Sequence, residues 1–163
     1  MREVAISVEP GSGYEALYRE HGDRLWRSVF LYSGDRDVAS DAVVEAFAQA
    51  IARGDEIHSP LAWVTRAAFR IAAGDLQERR RTIQPIHPVP EPAYDLRELE
   101  VPLAPELARL SPKQRAAVIL HDVEGFRLQE VAELIGSTTS AVGVHLHRAH
   151  RRLRAMLEES EDA

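Results

Sequence analysis

A proline-rich segment near the middle of the chain limits the possible folds more than any other feature. Six of the nine prolines lie between Pro85 and Pro105. Each proline removes a backbone N–H and fixes φ, so neither a long helix nor a central strand can run through this segment. We therefore expect a semi-extended linker over residues 82–106, with one short helical turn near residues 95–100.

The linker separates two blocks that both have helical periodicity. In the N-terminal block, residues 14–81, apolar residues recur at spacings of three and four, which predicts helices over 14–32, 37–53 and 60–81. The apolar stripe of the second helix consists of Ala39, Ala42, Val43, Ala46, Phe47, Ala50 and Ile51. Because no segment alternates polar and apolar residues with turn signals at its ends, we predict an all-α fold without a sheet.

The C-terminal block, residues 107–157, carries the start and stop signals of several short helices. Ser111 and Gln114 predict a capping box, with Pro112 at the first helical position. A short helix over 128–135 should end at Gly136. Thr138 should then cap a last helix, whose apolar stripe consists of Val142, Leu146, Ala149, Leu153 and Met156.

Two short helices joined by a tight glycine turn are the sequence form of a helix-turn-helix, whose second helix enters the DNA major groove. Off the apolar stripe near the start of that helix lie Thr139, Ser140, Gly143, Val144 and His147. The cations that follow are placed for DNA phosphates: Arg148, Arg151 and Arg152. The fold predicted is thus two small helical domains joined by the linker, with an N-terminal extension, 1–13, and an acidic tail, 158–163.

The formal net charge of −6 is unevenly distributed along the chain. Residues 111–157 hold seven basic and four acidic side chains, whereas the tail holds four acidic ones. The only cationic segment therefore contains the helix-turn-helix, so the acidic total does not exclude nucleic acid as a partner.

Composition and motifs exclude several other classes of function. The chain has no cysteine, which excludes disulfide scaffolds and cysteine nucleophiles, and it has no glycine-rich phosphate loop or nucleophile elbow. His147 and His150 share a helix face, but no third ligand completes a metal site. We expect no enzyme activity, cofactor or metal. Because no apolar run approaches a membrane span of about 20 residues, we expect a cytoplasmic protein.

The ordered motifs of the two blocks resemble those of the extracytoplasmic-function (ECF) sigma factors of bacterial RNA polymerase. The stretches L-S-P-K-Q-R at 110–115 and E-V-A-E-L-I-G at 130–136 are similar to sigma region 4. The stretches A-S-D-A-V-V-E-A-F at 39–47 and S-P-L-A-W-V at 59–64 resemble sigma region 2. The resemblance covers about 120 residues and implies a sigma region 2 helical bundle over 14–81 and a region 4 helix-turn-helix over 107–157.

The resemblance implies three sets of functional residues. Core RNA polymerase, through the β′ clamp helices and the β subunit, would be bound by Asp41, Val44 and Glu45. The −10 promoter element would be contacted by Trp63, Arg66, Arg70, Arg79, Arg80 and Arg81. The −35 element would be contacted by Arg115, Thr139, Ser140, Gly143, Val144, His145, His147, Arg148 and Arg151. Phe47 matches the family motif too, but its place in the apolar stripe favours core packing.

Several positions depart from the family's pattern. Val44 stands where the clamp-binding motif has glutamine, and the −10 helix has Arg70 and Gly74 where the family has Asn and Asp. In the recognition helix, Gly143 and His145 replace two residues that are often cationic. The two departures in the recognition helix predict weaker or more conditional −35 binding than in a typical member, since each missing phosphate contact lowers the salt slope by about one unit.

The leading hypothesis is a transcription initiation factor that binds core polymerase and directs it to specific promoters. A second hypothesis is a sigma-shaped interaction module with weak DNA binding, acting as a decoy or held by an anti-sigma factor. A third is a stand-alone helix-turn-helix regulator. An anti-sigma factor is also a partner that the resemblance implies for the leading hypothesis.

Overall fold

The computed structural model describes residues 12–82 and 103–163, and within these ranges the fold is all-α, as predicted. The N-terminal block contains α1 (Ser12–Ser33), α2 (Arg36–Arg53) and α3 (Pro60–Thr82), joined by short turns. Each of the three predicted helices is confirmed. A single 3₁₀ turn, Gly54–Glu56, follows α2.

The three helices bury one shared core in which α2 contributes mainly small side chains. Ala39, Ala42, Ala46 and Ala50 are fully buried, so α1 and α3 both approach the α2 backbone closely. Larger side chains of the neighbouring helices fill the remaining space, and Phe30 and Phe69 are fully buried. This division between small and large residues is how well-packed cores exclude voids.

The prediction that Ile51 belongs to the buried stripe of α2 is wrong. Ile51 is 50% exposed, whereas its neighbour Ala50 is fully buried. Both members of the earlier adjacent pairs Ala42–Val43 and Ala46–Phe47 are buried, so the buried stripe ends at Ala50, one turn before the end of α2. The expected packing role of Phe47 is confirmed, since its side chain is buried and makes an edge-on contact with Tyr18 at 5.1 Å between ring centroids.

The C-terminal block consists of short helices beneath one long helix. Its elements are α4 (Ala104–Ala108), α5 (Pro112–Ala117), α6 (Leu128–Ile135) and α7 (Thr139–Glu161). A π-helical turn, Val118–Val123, extends α5. The predicted stripe of α7 packs on α5 and α6, with Val142, Leu146, Ala149 and Met156 buried and Leu153 partly buried.

The predicted caps form as the sequence indicates. The Ser111 hydroxyl accepts from the Gln114 N–H at 3.3 Å, and the Gln114 side chain accepts from the Ser111 N–H at 3.3 Å. Gly136 ends α6 at φ 65°, a left-handed conformation that glycine adopts without strain. Thr138 then caps α7 by accepting from the Ala141 N–H at 3.1 Å. These caps define the turn of a helix-turn-helix.

Two helices extend into the segments that the sequence predicted as linker and tail. α4 begins at Ala104, inside the range predicted as linker, while α7 continues to Glu161, through most of the predicted acidic tail. The helical turn predicted near residues 95–100 lies outside the described residues.

The two blocks pack against each other. α1 contacts α5 and the π-helical turn, and α3 contacts α6. The rings of Phe69 on α3 and Phe126 before α6 meet edge to face at 5.8 Å between centroids. The described part of the chain therefore shares one continuous apolar core.

The N-cap of α2 provides a test of this packing. The Asp35 side chain accepts from the N–H groups of Asp37 at 2.9 Å and Val38 at 3.0 Å, and it also pairs with Arg79 near the end of α3. We expect Asp35→Ala to lower the free energy of unfolding of the N-terminal block by about 0.5–2 kcal/mol. Asp35→Asn keeps the cap and should cost less than about 1 kcal/mol, the usual worth of a partly exposed ion pair.

Urea unfolding followed by tryptophan fluorescence measures this effect, because both tryptophans, Trp26 and Trp63, lie in the N-terminal block. Equal midpoints for the two Asp35 variants would contradict a capping role. Asp23→Ala, which removes an exposed acid from the middle of α1, is the matched control.

Candidate nucleic-acid and polymerase interfaces

The outward face of α7 presents a row of side chains opposite its buried stripe. Ser140, Val144, His147 and Arg151 follow one another at spacings of four, three and four residues, and all four are exposed. We call these four residues the recognition ridge. Thr139 and Arg148 are also exposed beside it. The ridge begins at the N-terminal end of the second helix of the motif, where helix-turn-helix proteins contact base edges.

Three predicted −35 residues lie away from the centre of the ridge. Gly143 and His145 are half-buried on the two flanks of α7, between the exposed face and the buried stripe. Arg115 lies on α5, half-buried, with its Nε atom inaccessible. A Cβ built on Gly143 would meet no atom within 4 Å, so this position has open space beside it.

Arg152 is engaged inside the block, which corrects the expectation that it is placed for phosphates. Its guanidinium donates to the Arg109 carbonyl at 2.8 Å and to the Gln114 side chain at 3.2 Å. Arg152 therefore joins α7 to the junction between α4 and α5. It lies about 100° from Arg151 around the helix, which is why the two neighbours differ.

His150 is likewise engaged within the C-terminal block rather than directed at a ligand. Its Nε2 atom lies 2.6 Å from an Asp122 carboxylate oxygen. Among the residues that the structure describes, no group of three or more His, Cys, Asp or Glu side chains could hold a metal ion. None of the described helices is both long enough and apolar enough to span a bilayer.

The predicted polymerase-binding residues share the exposed face of α2. Asp41, Val44 and Glu45 are all exposed, and Val44 has 62% of its surface accessible. Glu45 accepts from the Gln49 side chain at 3.0 Å. Ile51, seven residues after Val44, continues the same face, so α2 presents an apolar row flanked by carboxylates. Exposed apolar residues of this kind are a feature of protein-binding surfaces.

The predicted −10 residues on α3 fall into two groups. Arg70 and Arg81 are exposed, whereas Arg66 pairs with Glu130 of α6 and Arg79 pairs with Asp35. The Arg80 side chain lies outside the described residues. The structure thus leaves only part of the expected cationic face of α3 directed to solvent.

Trp63 has a packing environment. Its ring is partly buried against the core, and the Arg53 guanidinium lies 5.3 Å from the ring centroid. Trp26 is held similarly, since its Nε1 donates to the Ser40 hydroxyl at 3.0 Å. The ring of Trp63 therefore packs between α2 and α3, and it is not an open surface on which a base could stack.

The interactions that sequence reasoning missed are those between distant segments. Glu130 approaches Arg66 across 64 residues, and Arg109 approaches Arg152 across 43. Neither pair has a sequence signal, since charge spacing identifies partners only within one helix. The capping and turn residues, by contrast, were found because their partners are local.

The C-terminal block matches a known protein family. Residues 105–153 match the family described as Sigma-70, region 4. The match includes the helix-turn-helix and the whole recognition ridge.

Curated relatives extend the similarity along most of the chain. The chain is 27% identical over 158 residues to ECF RNA polymerase sigma factor SigE of Mycolicibacterium smegmatis, covering 88% of this chain and 61% of SigE. It is 29% identical over 155 residues to the probable ECF RNA polymerase sigma factor SigI of Mycobacterium tuberculosis, covering 85% of this chain and 53% of SigI. RNA polymerase sigma factor SigV of Bacillus subtilis is 24% identical, with 87% of this chain and 89% of SigV covered. The chain thus spans little more than half the length of the first two.

Solved structures share the fold. The sigma factor RpoE of Bartonella quintana, in complex with the anti-sigma factor NepR, superposes with a TM-score of 0.57 at 24% identity, covering 90% of this chain and 97% of RpoE. CnrH, in complex with the cytosolic domain of CnrY, gives a TM-score of 0.52 at 23% identity, covering 93% of this chain and 94% of CnrH. The region 4 match, the relatives along most of the chain and the shared fold agree, and the chain is similar to the ECF sigma factors of bacteria.

Proposed function

We propose that the protein is a transcription initiation factor that binds core RNA polymerase and directs it to promoters by contacts at the −10 and −35 elements. The observation that carries the proposal is the exposed recognition ridge on a capped helix-turn-helix that matches sigma region 4. The second support is the acidic and apolar face of α2, at the residues that resemble the clamp-binding motif. Sigma factors are not enzymes, and the same proposal leaves this chain without a catalytic role.

At the −35 element, the recognition ridge would lie in the major groove of duplex DNA. Ser140 and His147 can exchange hydrogen bonds with base edges, and Val144 can contact a thymine methyl group. Arg148 and Arg151 follow along the helix toward the phosphates. This division places the base contacts near the start of α7 and the salt-dependent contacts further along it.

At the −10 element, α3 would face the opened strand. Arg70 and Arg81 are the exposed cations of the described part of this helix that the resemblance assigns to DNA. A cationic surface that follows the backbone is the usual way in which proteins hold single strands. Trp63 contributes in this proposal by supporting the helix.

A partner protein that binds the chain is a further part of the proposal. Both RpoE and CnrH are seen in complex with a partner, and in the first case the partner is named as an anti-sigma factor. By analogy, an anti-sigma factor would hold this chain away from polymerase until it is released.

The direct test of the proposed function is reconstitution with core polymerase. The purified chain should associate with core polymerase and protect both promoter elements in a footprint. If the chain neither associates with core polymerase nor supports initiation on any genomic fragment, the proposed function is wrong. Operator binding without polymerase would instead support a stand-alone regulator.

We expect the double variant Asp41→Lys and Glu45→Lys to bind core polymerase at least about tenfold more weakly. Bringing like charges together across an interface costs several kcal/mol. Glu20→Lys, on the exposed side of α1, is the matched control and should bind normally. Titration of labelled chain with core polymerase, followed by fluorescence anisotropy, measures both affinities. Unchanged affinity of the double variant would remove α2 from the interface.

The neighbours Arg151 and Arg152 give a matched pair with opposite expectations. In the polymerase complex, Arg151→Ala should lower the slope of log affinity for −35 duplex against log salt by about one unit. Its thermal unfolding should stay unchanged. Arg152→Ala should instead lower the stability by about 1 kcal/mol, because it removes the bonds to Arg109 and Gln114.

Salt titrations of DNA binding and thermal unfolding by circular dichroism measure the two effects separately. A slope change in both variants, or in neither, would show that the ridge is misassigned.

Gly143 provides a gain-of-function prediction. Because a side chain there has open space, Gly143→Ala should stabilise the chain by about 0.5–1 kcal/mol through its helix propensity alone. Gly143→Lys should add a phosphate contact as well and steepen the salt slope of −35 binding by about one unit. The alanine variant serves as the control, since its slope should equal that of the natural chain. A lysine variant with an unchanged slope would place this flank away from the DNA backbone.

A further inference from the structure

The guanidinium of Arg66 connects the two blocks. Arg66 lies on α3, the helix proposed to face the −10 element, and it pairs with Glu130 of α6 in the helix-turn-helix. The Arg66 side chain remains 43% exposed and that of Glu130 26%. An acidic side chain of the region 4 block thus forms an ion pair with a cation of the region 2 block.

An aromatic contact reinforces this pair. The Arg66 guanidinium lies 5.1 Å from the ring centroid of Phe126, a favourable cation–π distance. Phe126 is itself buried and meets Phe69 of α3 edge to face. Phe126 and Glu130, which both lie at the start of the helix-turn-helix, therefore contact the same arginine, Arg66.

A groove lies beside the contact between the blocks. It is open to solvent, has a volume of about 630 Å³ and is lined among others by Leu17, Thr65, Val123 and Phe126. Glu124 also lines the groove, and one of its carboxylate oxygens is buried without a hydrogen-bond partner in the described part of the protein. A buried oxygen without a hydrogen-bond partner disfavours the closed arrangement, which lowers the cost of separating the two blocks.

The closed arrangement masks the two DNA-facing helices unequally. All four residues of the recognition ridge are exposed, while Arg66 is paired with Glu130 of the region 4 block and partly covered. Closure therefore restricts access to Arg66 and leaves Arg70, Arg81 and the recognition ridge open.

We propose that the Arg66–Glu130 pair is an interdomain latch, in which the Glu130 carboxylate takes the place of a nucleic-acid phosphate on Arg66. The latch keeps Arg66 from binding DNA until the helix-turn-helix block moves away. This assignment rests on the proposed function only for what α3 binds, because the closed and open states themselves are defined by the distance between the blocks.

The size of the effect follows from the partial exposure of the pair. Partly exposed ion pairs shift an equilibrium modestly, so Glu130→Gln should raise the ratio of open to closed chains about two- to fivefold. The affinity of α3 for a ligand that needs the open state should rise by the same factor, as long as closed chains predominate.

The experiment measures the distance between the blocks in the free chain. Because the sequence has no cysteine, Ala48→Cys on α2 and Ala155→Cys on α7, both exposed, allow specific double labelling. Single-molecule energy transfer should show a larger open fraction for Glu130→Gln than for the parent. Glu133→Gln, which removes an exposed acid from the same helix, is the matched control and should match the parent.

Charge reversal distinguishes a latch from a general loss of stability. Arg66→Glu and Glu130→Arg should each raise the open fraction, and the variant carrying both changes should return toward the closed distribution. A double variant as open as the single ones, or a Glu130→Gln distribution equal to the parent's, would overturn the latch.

A binding arm tests what the latch covers. A fluorescent single-stranded DNA of 12 nucleotides should bind Glu130→Gln about two- to fivefold more tightly than the parent or Glu133→Gln. If Glu130→Gln is more open but binds the strand no better, the latch exists but does not guard DNA binding by α3. Failure of the chain to associate with core polymerase would overturn the proposed function and leave the distance result intact.

Discussion

The packing of α7 on the short helices beneath it is the interaction on which the proposed DNA-binding surface depends. α5 and α6 have six and eight residues, which is too short for an isolated helix to be stable in water. The apolar stripe of α7 buries their inward faces, while Ser111 caps α5 and Thr138 caps α7 itself. The recognition ridge is the opposite face of the same helix, so its direction is a consequence of that packing.

In the N-terminal block, too, one helix has a buried face and an exposed face with different roles. Its middle helix contacts its neighbours mainly through alanines, together with Val38, Val43 and Phe47, and presents its charged side chains on the outer face. Val44 and Ile51 are exposed beside Asp41 and Glu45. A single helix therefore provides both the centre of a core and a candidate binding surface, because its buried and its charged residues lie on different faces.

Arginine in this chain serves two purposes that sequence position alone does not separate. Arg151 is directed to solvent, whereas the adjacent Arg152 holds α7 to the α4–α5 junction. On α3, Arg70 is exposed, but Arg66 and Arg79 pair with acids from other elements. A cation contributes to nucleic-acid binding only where its own fold leaves it accessible, so part of the expected −10 surface is used for internal contacts.

The sequence alone determined the helix positions, the caps, the turn at Gly136 and most of the inward stripes. Their causes are local: the spacing of apolar residues, the unpaired N–H groups at helix ends, and the left-handed backbone that glycine adopts easily. The tertiary structure decided the rest. It decided that Ile51 is exposed, that Arg152 binds the α4–α5 junction, and that Glu130 of one block pairs with Arg66 of the other. These outcomes depend on which distant surfaces meet, and the free energy of that meeting is shared over many side chains that have no fixed spacing in the chain.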